Sequence, residues 1–365
     1  MHGRLTNVQL LRALAAIFVV LSHAAHETFG MAQRIGVDPI FHQSTRWTAA
    51  VDVFFVMSGF ILLSTSYNSF AAHEATVKFF TRRLVRAIPL YWLLTTLVLV
   101  GGLLAPTLLN VPITDLGHVV SSYLFWPSPR ENGEIRPVLA LGWTMNLEFF
   151  FYGVLAVCLA LPRRWGVAAA TGALVGVVAL AQLMPAPGMA ISFWGSFMTL
   201  DFVLGFAIAL AYQAGIRISA GAAWTMCALA VADIAISAST EPGAFDWFVT
   251  ISLPAGALVA AGVLAPQVAT VSRLPRFGVL LGDACYSTYL LQPFILRPAA
   301  VAWVALVGAG APLWAFVGLA AALALGGGLA CFLLFEKPLT AVLNRHLKNW
   351  ERRREARALA LQPAE

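Results

Sequence analysis

Long apolar runs broken by short polar turns make up most of the chain. Segments near 8–26, 49–67, 86–105, 143–161, 166–184, 193–213, 221–238, 246–265, 279–301 and 312–335 each approach the roughly 20 apolar residues that a bilayer-spanning helix needs. None shows the strict two-residue alternation of an outer-membrane barrel strand. The pattern predicts an all-α polytopic transmembrane bundle of about ten helices. Between the spans lie short Pro- and Gly-bearing turns such as Pro185–Gly188 and Glu241–Gly243, and two longer loops, 27–48 and 106–142. Within the second loop, Leu116–Trp126 is apolar but too short to cross, and is expected to be a re-entrant or interfacial helix.

Composition agrees with the pattern. The 365 residues are 60% hydrophobic and 11% charged, less than half the charge of an ordinary soluble domain. The formal net charge of +6 invites a nucleic-acid or anionic-lipid reading, but the distribution of the cations explains it better. With the N-terminus in the cytoplasm and alternating sides, Lys78, Arg82, Arg83, Arg86, Arg163, Arg164, Arg217, Arg273 and Arg276 all fall inside, with the basic tail. Arg34, Arg46, Arg130, Arg136 and Arg297 remain outside, mixed with acidic residues. This positive-inside bias predicts two cytoplasmic termini and no nucleic-acid partner. The first run is expected to be retained rather than cleaved, since Arg12 interrupts it and many spans follow. One domain over residues 1–340 is expected, followed by a basic tail over 341–365 that lies as a surface helix against anionic lipid.

Ionisable groups inside apolar spans cost several kcal/mol, about 2.5–3.5 on insertion scales, so each is a functional hypothesis. In Leu10–His26, Arg12 and His23 are eleven residues apart, three helical turns, and therefore share one stripe about 16 Å long. His23 suits a general base for an alcohol substrate; an interfacial histidine bonded to a loop is the alternative. Arg83 and Arg86 share a helix face where the third span begins. With Arg12 they would form a phosphate clamp, while anchoring at the membrane surface explains one or two of them without it. Asp52 opens the second span, as a helix cap or as the carboxylate that orients His23. Ser58 and Gly59 behind it offer a small packing surface. Glu148, two turns into WTMNLEFFFY, needs a partner or a proton, through an arginine or through catalysis. Asp201, Asp233 and Asp283 also fall in or near spans, without a partner legible in the sequence. The four cysteines lie in apolar runs with no chelating or redox spacing, and read as small buried hydrophobes; no metal is expected.

Taken in order, these segments resemble acyltransferase family 3, membrane-integral and largely bacterial. The resemblance rests on LLRALAAIFVVLSH with Arg12 and His23, VDVFFVMSGFIL at 51–62, FTRRLVRAIPLYW at 80–92, WTMNLEFFFY at 143–152, GDACYSTYLLQPF at 282–294 and FEKPLT at 335–340. It covers nearly the whole chain. One departure is that Gln292 stands where many members carry a histidine. The resemblance implies an O-acyltransferase of the bacterial inner membrane. Its donor would be a cytoplasmic acyl-coenzyme A, most often acetyl-CoA, used as a substrate rather than a resident cofactor. Its acceptor would be a hydroxyl outside, on a cell-surface or exported glycan, a lipid or a small molecule. It also implies that Arg12, Arg83 and Arg86 serve the donor and His23 the transfer; Asp52 and Glu148 join His23 in the catalytic set expected from the residues. A transporter or flippase predicts inverted repeats, which the sequence does not display; a non-catalytic assembly subunit leaves the buried charges without a reason.

Overall fold

The computed structural model describes residues 5–38, 49–72, 74–104, 111–236 and 243–360. Arg46, most of the Glu241–Gly243 turn and the last residues of the tail lie outside them. Among the described residues there are helices and turns but no strand beyond an isolated bridge between Pro129 and Ile135.

The helices fall where the apolar runs place them. They are α1 Thr6–Ile35, α2 Ala49–Ser66, α3 Ala75–Leu104, α4 Leu116–Tyr123, α5 Trp143–Cys158, α6 Arg163–Leu183, α7 Met189–Trp194, α8 Leu200–Gln213, α9 Ala220–Ile236, α10 Ala244–Trp247, α11 Leu253–Leu264, α12 Arg273–Asp283, α13 Cys285–Leu291, α14 Pro293–Leu306, α15 Leu313–Cys331 and α16 Lys337–Ala360. Among the described residues, seven helical stretches are long and apolar enough to cross a membrane, and α13 with α14, bent by 47°, makes an eighth if counted as one span. Phe197–Gln213 and Ala220–Ile236 are apolar but shorter. The sequence reading of about ten spans therefore corresponds to seven or eight full-length spans and two shorter apolar helices. The difference is one of length, because hydropathy registers apolarity before it registers how far a helix runs.

Helix α1 is the axis of the bundle, in contact with α2, α11, α12, α13, α14 and α15. It ends at Gly36, whose φ of +71° is the left-handed cap that a glycine adopts without strain. Helices α2 and α8 cross most closely. A Cβ on Gly59 would lie 2.3 Å from the carbonyl oxygen of Phe202, and one on Gly205 equally close to that of Val56. The predicted small surface on α2 is thus used by Gly59 as a backbone contact. Behind this crossing Phe151 stacks on Phe202 with ring centroids 4.2 Å apart, and Phe55 and Phe206 complete the aromatic core.

The expected short helix at 116–126 is α4. Asp115 caps it, accepting from the backbone N–H of Gly117 and His118 at 2.8 and 3.1 Å. The Tyr91 hydroxyl donates to the Ser122 carbonyl at 2.9 Å and holds α4 to α3. In the following loop, Arg130 donates to the carbonyls of Pro137 and Val138 at 2.7 and 2.8 Å. Burial and the nearby Arg130 cation hold the His118 imidazole below its ordinary range. At the other end of the chain α15 runs through a π-helical turn, Phe332–Glu336, into α16. The 340/341 boundary expected from composition falls inside α16, which packs against α3 and pairs Glu351 with Arg82 at 3.5 Å.

Candidate functional site

The arginines converge. Arg12 projects from α1, and Arg82, Arg83 and Arg86 from α3, into a cavity of ≈ 610 Å³ closed on its far side by Lys337, Thr340 and Asn344 of α16. Five cationic side chains line it against two carboxylates, Asp283 and Glu336. Arg12 donates to Gln9 Oε1 and to the sulfur of Cys285, both at 3.1 Å. Arg83 lies over the Phe79 ring, 5.3 Å from its centroid, and its buried Nε finds no hydrogen-bond acceptor. Glu336 accepts from the Ser287 hydroxyl rather than closing over the arginines. Guanidinium groups with unused donors around a concave, cation-rich wall suit a phosphorylated ligand.

A narrower chamber of ≈ 140 Å³ opens from the same three arginines, Arg12, Arg83 and Arg86, and runs between α2, α3, α5 and α13. Its walls are largely apolar, with Phe54, Phe55, Met57 and Met145, and beyond the arginines and a few hydroxyl groups they carry one carboxylate. That carboxylate is Glu148. Ser58 Oγ donates to its Oε1 at 2.9 Å and the Tyr152 hydroxyl to its Oε2 at 2.7 Å. Glu148 also lies within electrostatic reach of Arg83. The structure therefore brings Arg12, Arg83, Arg86 and Glu148 together around one chamber, and the three arginines also line the wider cavity. The far wall is Tyr289, whose hydroxyl donates to the Leu141 carbonyl at 2.9 Å, with the Thr144 hydroxyl 3.4 Å away.

His23 does not line that chamber. Its half-buried imidazole faces the fully buried amide of Gln292, one helical turn beyond Tyr289, with His26 and Arg136 as its neighbouring charged or titratable groups. The two do not meet in a hydrogen bond of standard geometry, and Nδ1 of His23 and both amide atoms of Gln292 are buried without a hydrogen-bond partner.

Asp52 departs from expectation. Fully buried, it accepts at Oδ1 from Trp247 Nε1 at 3.1 Å and from Ser252 Oγ at 3.0 Å. Its second oxygen turns toward the equally buried Asp201. These partners and those of His23 do not overlap, so the expected Asp52–His23 pair does not form. The cause is the close glycine crossing of α2 on α8, which commits this face of α2 to α8 and to the π-helical turn Phe248–Ser252 leading into α11. Asp201 gains in Asp52 the partner that its sequence context does not reveal. The two buried carboxyl groups meet where α2 crosses α8 and form a joint of the fold.

Several contributors escape sequence reasoning. Tyr152 is legible in principle, since it stands four residues after Glu148 on the same face. Ser58, Cys285, Tyr286, Tyr289 and Glu336 carry no local signal, because each acquires its place from a helix distant in the chain. The expectation of small buried cysteines holds for burial at Cys158 and Cys285, but Cys285 also accepts a hydrogen bond from Arg12.

The sequence model of the acyltransferase domain family matches residues 5–331. The exopolysaccharide production protein ExoZ of Rhizobium meliloti (strain 1021) is 34% identical over 301 residues, covering 82% of this chain and 91% of that protein. The acyltransferase MdmB of Streptomyces mycarofaciens is 27% identical over 317 residues, covering 80% of this chain and 79% of that one. No solved structure matches.

Proposed function

This chain belongs to the acyltransferase family that spans its residues 5–331, and from that membership we propose that it moves a short acyl group, acetyl in the first instance, from acyl-coenzyme A to a hydroxyl of an exported or cell-surface glycan. The single observation that carries the reading is the adjoining pair of cavities, one cation-rich and one narrow, that share Arg12, Arg83 and Arg86. The wide cavity suits the phosphorylated nucleotide end of the donor, and the positive-inside bias supports a cytoplasmic side for that end and an inner-membrane location for the protein. The narrow chamber suits the thioester end of the pantetheine arm and the acyl group it carries. A volume of ≈ 140 Å³ is about that of a cavity that accepts benzene, and leaves little room for a long acyl chain.

His23 acts as general base at the far end. The acceptor hydroxyl loses its proton to the imidazole as its oxygen attacks the thioester carbonyl. The new C–O bond forms, the C–S bond breaks, and the departing thiolate takes the proton back, leaving an ester, a free thiol and a neutral histidine. Glu148, held by Ser58 and Tyr152, balances the arginine cluster where it enters the chamber. Asp52 serves the fold rather than the transfer. The glycan acceptor is favoured by the likeness to an exopolysaccharide production protein over most of both chains.

The test uses the full chain in nanodiscs, with [¹⁴C]acetyl-CoA and exopolysaccharide stripped of its esters by mild base. Wild type should transfer base-labile label to the polymer with release of thiol, and His23→Ala should not, while remaining monodisperse. Wild type that consumes no acetyl-CoA, or a His23→Ala protein with full activity, overturns the proposal.

A further inference from the structure

Gln292 occupies an unusual position. It is the single residue between α13 and α14, where the helix axis bends by 47° and Pro293 supplies no N–H. Its backbone is satisfied: its N–H reaches the Thr288 carbonyl at 3.2 Å, and its own carbonyl accepts from Ile295 and Leu296 at 3.0 and 2.8 Å. Its side chain is not. The amide is fully buried, and neither Nε2 nor Oε1 has a hydrogen bond of standard geometry. Leaving such a group unpaired in an apolar interior is destabilising, so it invites a functional reason. The packing fixes its direction, because α13 is wedged against α15 where a Cβ on Gly328 would meet Thr288 Oγ1 at 2.2 Å. The amide's neighbour across α1 is His23.

Resting on the reading of His23 as the base, we infer that Gln292 is its positioning residue. The amide carbonyl accepts from one imidazole nitrogen and so directs the other, as base, toward the acceptor hydroxyl. The role expected of Asp52 passes to a neutral amide. The contact is loose without substrate, as catalytic hydrogen bonds often are, and tightens when the acceptor arrives. The other titratable or charged groups facing His23 are His26, on the same helix, and Arg136 of the outer loop.

Gln292→Met and Gln292→Glu test the assignment in the nanodisc transfer assay across pH 5–9, with thermal unfolding measured alongside. Methionine keeps the length and apolar bulk but removes the amide. It should lower kcat by about tenfold or more with the KM for acetyl-CoA unchanged, and it should raise the unfolding temperature. A purely structural glutamine would lose stability and activity together. Glutamate should keep measurable activity and shift the acid limb of the pH profile to higher pH, because a carboxylate beside the imidazole favours its protonated form. If His23→Ala is inactive while both Gln292 variants keep the wild-type rate and pH profile, the inference is wrong and the reading of His23 stands. If His23→Ala is fully active, both fall. Should Gln292→Met fail to fold, Gln292→Glu with an unshifted profile is sufficient refutation.

Discussion

Burial ranks the arginines of the donor cavity, and the ranking is testable. Arg83 is half-buried, with an enclosed Nε that lacks an acceptor. Arg86 is exposed, and Arg82 is exposed with its charge already turned to Glu351. A charge-assisted hydrogen bond to a ligand phosphate contributes about 1.5–3 kcal/mol where water is excluded. An exposed pair gives about 0.2–1 kcal/mol and is screened by salt. Replacing Arg83 by Gln should therefore raise the Kd for acetyl-CoA on the order of 10- to 100-fold. Arg86→Gln and Arg82→Gln should raise it less than about fivefold each. Equilibrium binding of radiolabelled acetyl-CoA to nanodisc-held protein measures this directly. S-acetylpantetheine, which carries the thioester but no phosphate groups, is the control. Its binding should be indifferent to all three substitutions, and Arg83→Lys should recover part of the affinity for acetyl-CoA. The reasoning fails if Arg83→Gln weakens both ligands equally, which would mean general damage to the chamber, or if Arg82→Gln exceeds Arg83→Gln.

Two further substitutions probe the chamber and the acidic joint. Met57, almost fully buried and on the chamber wall, limits the acyl group, so Met57→Ala should raise the butyryl-CoA to acetyl-CoA ratio of kcat/KM by about fivefold or more, equivalent to about 1 kcal/mol of relieved overpacking; an unchanged ratio places the limit elsewhere. Asp52→Asn keeps an oxygen for Trp247 and Ser252 and supplies an N–H toward Asp201, so it should fold with an unfolding temperature equal to or above wild type and retain transfer within about twofold. Loss of transfer in a well-folded Asp52→Asn protein would return Asp52 to the chemistry.

What the sequence made legible depended on whether the physics was local. The stripe from Arg12 to His23 and the shared face of Arg83 and Arg86 follow from helical periodicity alone, and three of these four line the donor cavities. The apolar runs predicted the positions of the helices for the same reason. Asp52 shows the limit. Its position at the head of α2 is legible, but its hydrogen-bond partners stand 195 and 200 residues away, and only the Gly59–Gly205 crossing decides which face of α2 they meet. Glu148 is divided in the same way, with Tyr152 one turn along its own helix and Ser58 ninety residues back in the chain. Gln292 read as a departure from a family pattern, and its meaning came from the neighbour that the bend gives it.

Helix α13 shows how a cation and an imidazole on one stripe of α1 would, on the proposed reading, serve different ends of one path. Its first residue, Cys285, meets Arg12, and the residue that follows its last turn, Gln292, meets His23. The two helices therefore run in the same sense, and α13 is a strut that reproduces the stripe on the facing wall. The stripe is about 16 Å long, and the seven steps from Cys285 to Gln292 cover about 10 Å; the reach of the Arg12 side chain takes up much of the difference. Between those two contacts Tyr286 and Tyr289 turn to the chamber, and their hydroxyls are tied to the carbonyls of Ala87 and Leu141. A break in α13 before Gln292 would leave His23 without its neighbour, and a helix continuing straight past it would not turn the chain where Leu296 joins the separate core of α1, α14 and α15. The bend thus falls between the narrow chamber and the histidine, which on the proposed reading is where an acyl group arriving from one side meets a hydroxyl arriving from the other.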